Sequence, residues 1–394
     1  MIKKHYEFFS RARYSLVILF ILLLGLNINI PGVADDAQSG GNHLLTAITG
    51  GTTSRPGVLS LGIGAFMIAG VIFSVFEMTE LTFITIMTEK QKGVVKNALT
   101  LVIALFQANA RVGTLRENMT HDEPLTIFLM VLTLASGSMF LSWLANLNLD
   151  NGLGGTTLLI LPGMLLTFPG MFQGKAAHFF ANPVHFALLI LGTLVVVFVT
   201  VFLYEAEYRI RVQRISLDAK FNNSYLPFRL LNAGSFPLMI AMTIFSIPQM
   251  FLSRWQGFER FFDMKTLPGA LTYGFILYAV SVLFSVVFVR PKNITKGLKE
   301  SGDYVINVAP GDETHKHIEK IITMLGIFGS LYLTSLVVVP LALGIILDNT
   351  VLTALSTYLG YVFTMVLIID RLVEDGRFIY YKKSYDLFGK KVRV

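Results

Sequence analysis

Ten stretches of this chain run without a single Asp, Glu, Lys or Arg, at residues 14–30, 57–76, 98–110, 124–147, 155–171, 184–204, 231–252, 268–289, 321–347 and 351–369. A bilayer hydrocarbon core about 30 Å thick is crossed by roughly 20 apolar residues in an α-helix, so most of these windows have the length of a membrane span. The third is the shortest. Each window is a continuous apolar run, whereas a barrel strand alternates apolar and polar residues, so the spans are predicted to be helices. With 54% hydrophobic and only 14% charged residues, the solvent for most of the chain is lipid.

An even number of spans places both termini on one side, and the basic residues identify that side. Of the 32 Lys and Arg residues, 25 fall in the segments on the terminus side and 7 on the other. By the positive-inside rule both termini and the large loops are expected in the cytoplasm, with the chain multi-pass in the cell membrane. Residues 1–13 followed by Leu16–Leu26 have the outline of a secretory signal, yet nine further spans hold the chain in the membrane, and an uncleaved anchor is expected. Ile2, Tyr6, Phe8 and Phe9 beside Lys3, Lys4, Arg11 and Arg13 suit a short interfacial helix.

Driven transporters keep ionisable groups at depth to carry their coupling ions, and these spans carry none at their centres. His178 and His185 lie at or before the start of the sixth window, at the interface. No paired acids, nucleophile with its base, or metal cluster is legible, and the absence of Cys removes disulfides and thiolate sites. No cofactor and no enzymatic activity are expected.

The charge gathers in two long loops at 205–230 and 290–320. The first carries Arg209, Arg211, Arg214 and Lys220. The second carries Arg290, Lys292, Lys296 and Lys299, then Pro310–Gly311 and a helix-like stretch from Thr314. Such charge sets topology and attracts anionic lipid whatever else it does.

The loop sequence RPKNITKGLKESGDYVINVAPGDET at Arg290–Thr314 resembles the text NPxxxAxNLKKSGxxIPGIRPGxxT of the SecY family of protein-conducting channels. Collinear similarities follow at GGTTSRPGVLSLGI (50–63), LFQANA (105–110), SGSMFLSWL (136–144), NGLGGTTLLI (151–160), YLPFRLLNAGSFP (225–237) and KHIEKIITMLGIFGSLYL (316–333). The resemblance implies an all-α membrane protein of ten helices in two pseudo-symmetric, inverted five-helix halves. These are residues 1–180, with a plug segment at about 40–52, and residues 181–394, with the two large loops.

The resemblance further implies an apolar ring at the pore waist from Ile63, Met67, Leu161, Met239 and Phe363. Such a constriction dewets, and flexible Met side chains deform around a passing chain. It implies a plug containing Leu44, Leu45 and Ile48, and a lateral gate with Gln107 and Thr243. For each of these, ordinary helix packing or an external loop is the alternative reading. Docking of a motor ATPase is expected at Arg209, Arg211, Arg214, Lys296 and Lys299.

Three departures from the family pattern point to a branch. Ala309 stands where an Arg precedes Pro–Gly, LGIGAFM (61–67) replaces LGIxPYI, and GLGGTT (152–157) replaces GIGNGI. The chain thus looks like the accessory SecY paralogue of Gram-positive bacteria. That implies an accessory SecA-type motor, accessory Sec proteins, serine-rich glycosylated adhesins as cargo and optional SecE- or SecG-like small subunits, with no nucleic acid among the partners. Ala309 leaves the motor contact without a residue-by-residue transfer. A small-solute or lipid carrier built from inverted repeats is the competing class, and an insertion scaffold releasing clients sideways into lipid is a third.

Overall fold

The computed structural model of the chain describes residues 6–30, 57–78, 87–115, 124–171, 183–214, 224–252 and 259–381. Its helices are α1 (Tyr6–Leu26), α2 (Gly64–Met78), α3 (Glu89–Leu115), α4 (Pro124–Asn151), α5 (Ile160–Met171, entered through a tight turn at Gly155–Leu159) and α6 (Pro183–Glu205). They continue with α7 (Phe236–Leu252), α8 (Leu267–Val289), α9 (Pro291–Ser301), α10 (Asp312–Ile346) and α11 (Thr350–Tyr381). Each of the ten apolar windows falls on one of these helices, α9 being the exception that belongs to a loop. Among the described residues six of the helices are long and apolar enough to cross a membrane, and α2, α5, α6 and α7 supply shorter apolar stretches.

The described helices gather into two compact units. The first takes Met1–Phe73, Ile86–Gln173 and Thr364–Val394, and the second takes Ser74–Thr85 and Gly174–Phe363. In the first, Ala65 of α2, Ala104, Ala108 and Val112 of α3, and Met130, Leu134 and Ala135 of α4 form a buried cluster. Small residues dominate because helices in lipid gain little from hiding apolar surface and associate through close backbone packing. In the second, α8 buries Ala270, Tyr273, Gly274, Leu277, Ser281, Phe284 and Ser285 at three- and four-residue spacing. That stripe packs on α10, where Gly326 meets Ser285 and Val338 meets Gly274.

Helix ends depart from the sequence expectation where local chemistry outweighs hydropathy. The second window starts at Gly57, but residues 57–63 are a turn and the helix begins at Gly64. Gly57 lies against the Leu26 carbonyl, and Val58 N–H donates to Ile28 O at 2.9 Å, so this backbone is spent on packing. α3 outruns the short 98–110 window at both ends. At its start Thr88 and Gln91 form a capping box, with Thr88 N–H donating to Gln91 Oε1 at 2.9 Å and Gln91 N–H to Thr88 Oγ1 at 3.4 Å. The expected interfacial helix is instead the first turns of α1, continuous from Tyr6, with an i,i+4 pair of Glu7 and Arg11 at 3.6 Å. Phe8 there packs edge-on to Tyr380 of α11.

The two long loops fold together. Residues 207–213 form β1 (Glu207–Gln213), which pairs antiparallel with β2 (Tyr225–Arg229) and with the two-residue β3 (Tyr304–Val305), in the order β2-β1-β3. Register pairs Arg209 with Pro227, Arg211 with Tyr225 and Val212 with Val305. The apolar-polar alternation of RIRVQ at 209–213 drives this strand, with Ile210 and Val212 buried and Arg209 and Arg211 outward.

Candidate functional site

A short turn precedes α2, and it places two of the expected ring residues. Gly62 adopts the left-handed conformation at φ 69° and donates its N–H to Leu59 O at 3.0 Å. Two residues later α2 starts, and Met67 N–H bonds to Ile63 O at 3.0 Å, so Ile63 and Met67 occupy one helical turn. Both are buried. Leu161, at the beginning of α5, is half-buried and follows left-handed Gly154 and Gly155.

The second unit repeats the arrangement before α7. Gly234, at φ 62°, donates its N–H to Leu231 O at 3.1 Å, and α7 starts two residues later at Phe236. Met239 follows Gly234 by five residues, as Met67 follows Gly62. Met239 and Phe363 are buried, the latter packed on the Tyr332 ring at 6.3 Å. The signal was present in the sequence as an internal repeat, VLSLGIGAFMIA at 58–69 against LLNAGSFPLMIA at 230–241. A second recurs on α4 and α10, GSMFLS at 137–142 against GSLYLT at 329–334.

Gln107 is half-buried on α3, within the first unit. Thr243 lies on α7 in the second unit, where its hydroxyl donates to the Met239 carbonyl at 2.9 Å. That back-bond is the usual choice of a helical Thr away from a partner. The plug residues Leu44, Leu45 and Ile48 lie outside the described residues.

The basic residues sit on a folded platform. Its core is Ile210, Val212, Phe228, Val305, Ile318 and Ile322, with Ile294 and Leu298 of α9 packed against it. Arg209 stacks over the Tyr225 ring at 4.7 Å and approaches Glu207 at 3.5 Å. Arg211 and Arg214 are exposed, and so are Lys296 and Lys299 on the outer face of α9. Pro291, Ile294, Thr295 and Leu298 take the inner face of that helix, which leaves its lysines in water. Ala309 is exposed, and its carbonyl accepts from Thr314 Oγ1 at 2.8 Å. Glu77, which the sequence reading passed over, forms an ion pair with Arg290 at 3.0 Å. Among the described residues no three His, Asp or Glu side chains gather as a metal site.

A family model described as SecY matches residues 57–370. The accessory Sec system protein translocase subunit SecY2 of Leuconostoc gelidum is 29% identical, with 95% of this chain and 96% of that protein covered. The SecY2 subunit of Streptococcus parasanguinis is 31% identical over 82% of each. A solved structure of a protein-conducting channel superposes with a TM-score of 0.68 at 17% identity, covering 97% of this chain and 95% of its own, which speaks for the fold.

Proposed function

The chain belongs to the SecY family, and from that premise we propose that it is the pore subunit of an accessory protein-export translocon in the plasma membrane. SecY-family channels are conduits and not enzymes. The observation that carries the accessory branch is the end-to-end likeness to subunits named SecY2, which covers 95% of the chain and 96% of the first such relative.

In this reading residues 1–180 and 181–394 are the two inverted repeats, and the recurrence of Gly62 and Met67 as Gly234 and Met239 supports it. Ile63, Met67, Leu161, Met239 and Phe363 form an apolar ring that excludes ions by dewetting and yields to a polypeptide through its flexible Met side chains. Leu44, Leu45 and Ile48 plug the outer side. Gln107 and Thr243 line a lateral gate, where hydrogen bonds favour the closed state. Both termini and the basic platform face the cytoplasm.

Because the chain supplies no chemical energy, a motor must. An accessory SecA-type ATPase docks on Arg209, Arg211, Arg214, Lys296 and Lys299, held in place by the platform core. Accessory Sec proteins and small SecE- or SecG-like subunits complete the assembly, anionic lipid flanks it, and serine-rich glycosylated adhesins are the cargo.

Reconstitution tests this. Proteoliposomes carrying the chain and the accessory motor are expected to import a serine-rich substrate only with ATP. Reversal of the five docking charges is expected to abolish motor binding while membrane insertion is retained. Unchanged motor binding overturns the docking assignment. Movement of a small solute or lipid without any ATPase overturns the channel reading, and a strong preference for hydrophobic over secreted clients assigns the chain to insertion.

A further inference from the structure

We infer that Gly137 of α4 and Gly329 of α10 are paired positioning residues of the pore constriction, each seating the turn that sets the level of one ring methionine; this rests on the ring assignment above. In the first unit a Cβ on Gly137 would fall closer than 3.0 Å to the carbonyl oxygen of Val58. In the second, a Cβ on Gly329 would do the same to the carbonyl oxygen of Leu230. Val58 stands nine residues before Met67, and Leu230 nine before Met239. Two separate units therefore make one contact, between corresponding turn carbonyls and corresponding helix glycines.

The link from seat to methionine is stiff. Each turn is closed by a glycine N–H bonded three residues back, to Leu59 O at 3.0 Å or Leu231 O at 3.1 Å. Each then passes through a left-handed glycine into the helix two residues later. Gly137 and Gly329 are buried inside long helices, where glycine weakens the helix and is retained only for a reason such as close backbone approach. The atom each faces is backbone, which cannot rotate away as a side chain does. Adding a methyl forces the turn outward, and the displacement carries the first turn of α2 or α7 with it.

Glycines on other helices serve as controls. A Cβ on Gly113 of α3 or Gly192 of α6 meets nothing within 4 Å. Alanine there is expected to leave the channel unchanged.

The absence of native cysteine permits a site-specific test on the full chain in proteoliposomes and planar bilayers. Gly137→Ala is expected to raise the resting ion conductance of the idle channel about tenfold and to speed thiol labelling of a Met67→Cys probe several-fold, with a Met239→Cys probe unaffected. Gly329→Ala is expected to speed labelling at the Met239→Cys probe alone. Gly113→Ala and Gly192→Ala are expected to match the parent. Should Gly137→Ala fail to insert, Gly62→Ala strains the same turn without touching α4, and the same selective labelling at the Met67→Cys probe is expected. Equal acceleration at both probes by either substitution indicates general loosening and overturns the inference, as does no acceleration at all. If Met67→Ala and Met239→Ala leave the resting conductance at the parent level, the ring assignment itself is what has failed.

Discussion

Arg290 places its guanidinium Nη2 3.0 Å from Oε2 of Glu77. The pair joins the last turns of α2, the helix that carries Met67, to the single left-handed residue between α8 and α9. Lys296 and Lys299, in the proposed motor site, lie six and nine residues further on, along α9. The tie is thus a covalently short path between the basic platform and the last turns of α2. At about one-third exposure for each side chain, it is expected to contribute only about 0.2–1 kcal/mol. Glu77→Gln should lower thermal stability in detergent by that small amount at low salt and by less at high salt. Glu77→Arg combined with Arg290→Glu should recover the loss; no recovery would mean that the pair is incidental.

A second prediction concerns the buried network where α4 turns into α5. Ser15 Oγ donates to Asn148 Oδ1 at 2.8 Å and accepts from Leu153 N–H at 2.7 Å, while Asn148 Nδ2 donates to Leu153 O at 3.0 Å and Gly155 O at 2.6 Å. Every polar group there has a partner, and Asn148 supplies most of them. Asn148→Leu takes the amide donor from the Leu153 and Gly155 carbonyls and the acceptor from the Ser15 hydroxyl, with an expected loss on the order of 1–3 kcal/mol in thermal unfolding. Ser15→Ala should cost less, since both Asn148 amide bonds persist. Equal losses would contradict this ordering.

The platform makes a third test. Phe228 sits in its core opposite Tyr208 in the β1–β2 register, and Phe228→Ala opens a cavity there. A local loss of about 3–5 kcal/mol is expected. Limited proteolysis should then cut within residues 205–230 and 290–320 while the membrane helices stay protected, and motor binding should fall with the platform. Cleavage spread over the whole chain would show that the platform is not an independent layer.

How far the sequence alone carries can be read from particular elements. The ten spans are visible because lipid demands a long apolar run from every crossing, and such runs cannot be disguised. Helix ends are not visible in the same way: hydropathy misses the capping box at Thr88 and Gln91, and it misses the turn at 57–63, whose Gly57 lies against the Leu26 carbonyl. The strands escaped notice because RIRVQ is five residues inside a loop judged by its charge. Thr243 illustrates a further limit, since nothing in its sequence context tells that its hydroxyl bonds to Met239 O. Gly137 and Gly329 went unremarked as two glycines among 33, and only the backbone atoms facing them give them meaning.

The central claim, the proposal that the chain conducts a polypeptide past Met67, Leu161 and Met239, is tested most directly by photocrosslinking in cells with a stalled export substrate. A photoreactive residue in place of Met67, Leu161 or Met239 should crosslink to a serine-rich adhesin and not to an ordinary secreted protein, while one at the exposed Phe198 of α6 should crosslink to neither. Crosslinks absent from all three positions, in a cell that still exports the adhesin, would contradict the account and return these side chains to helix packing.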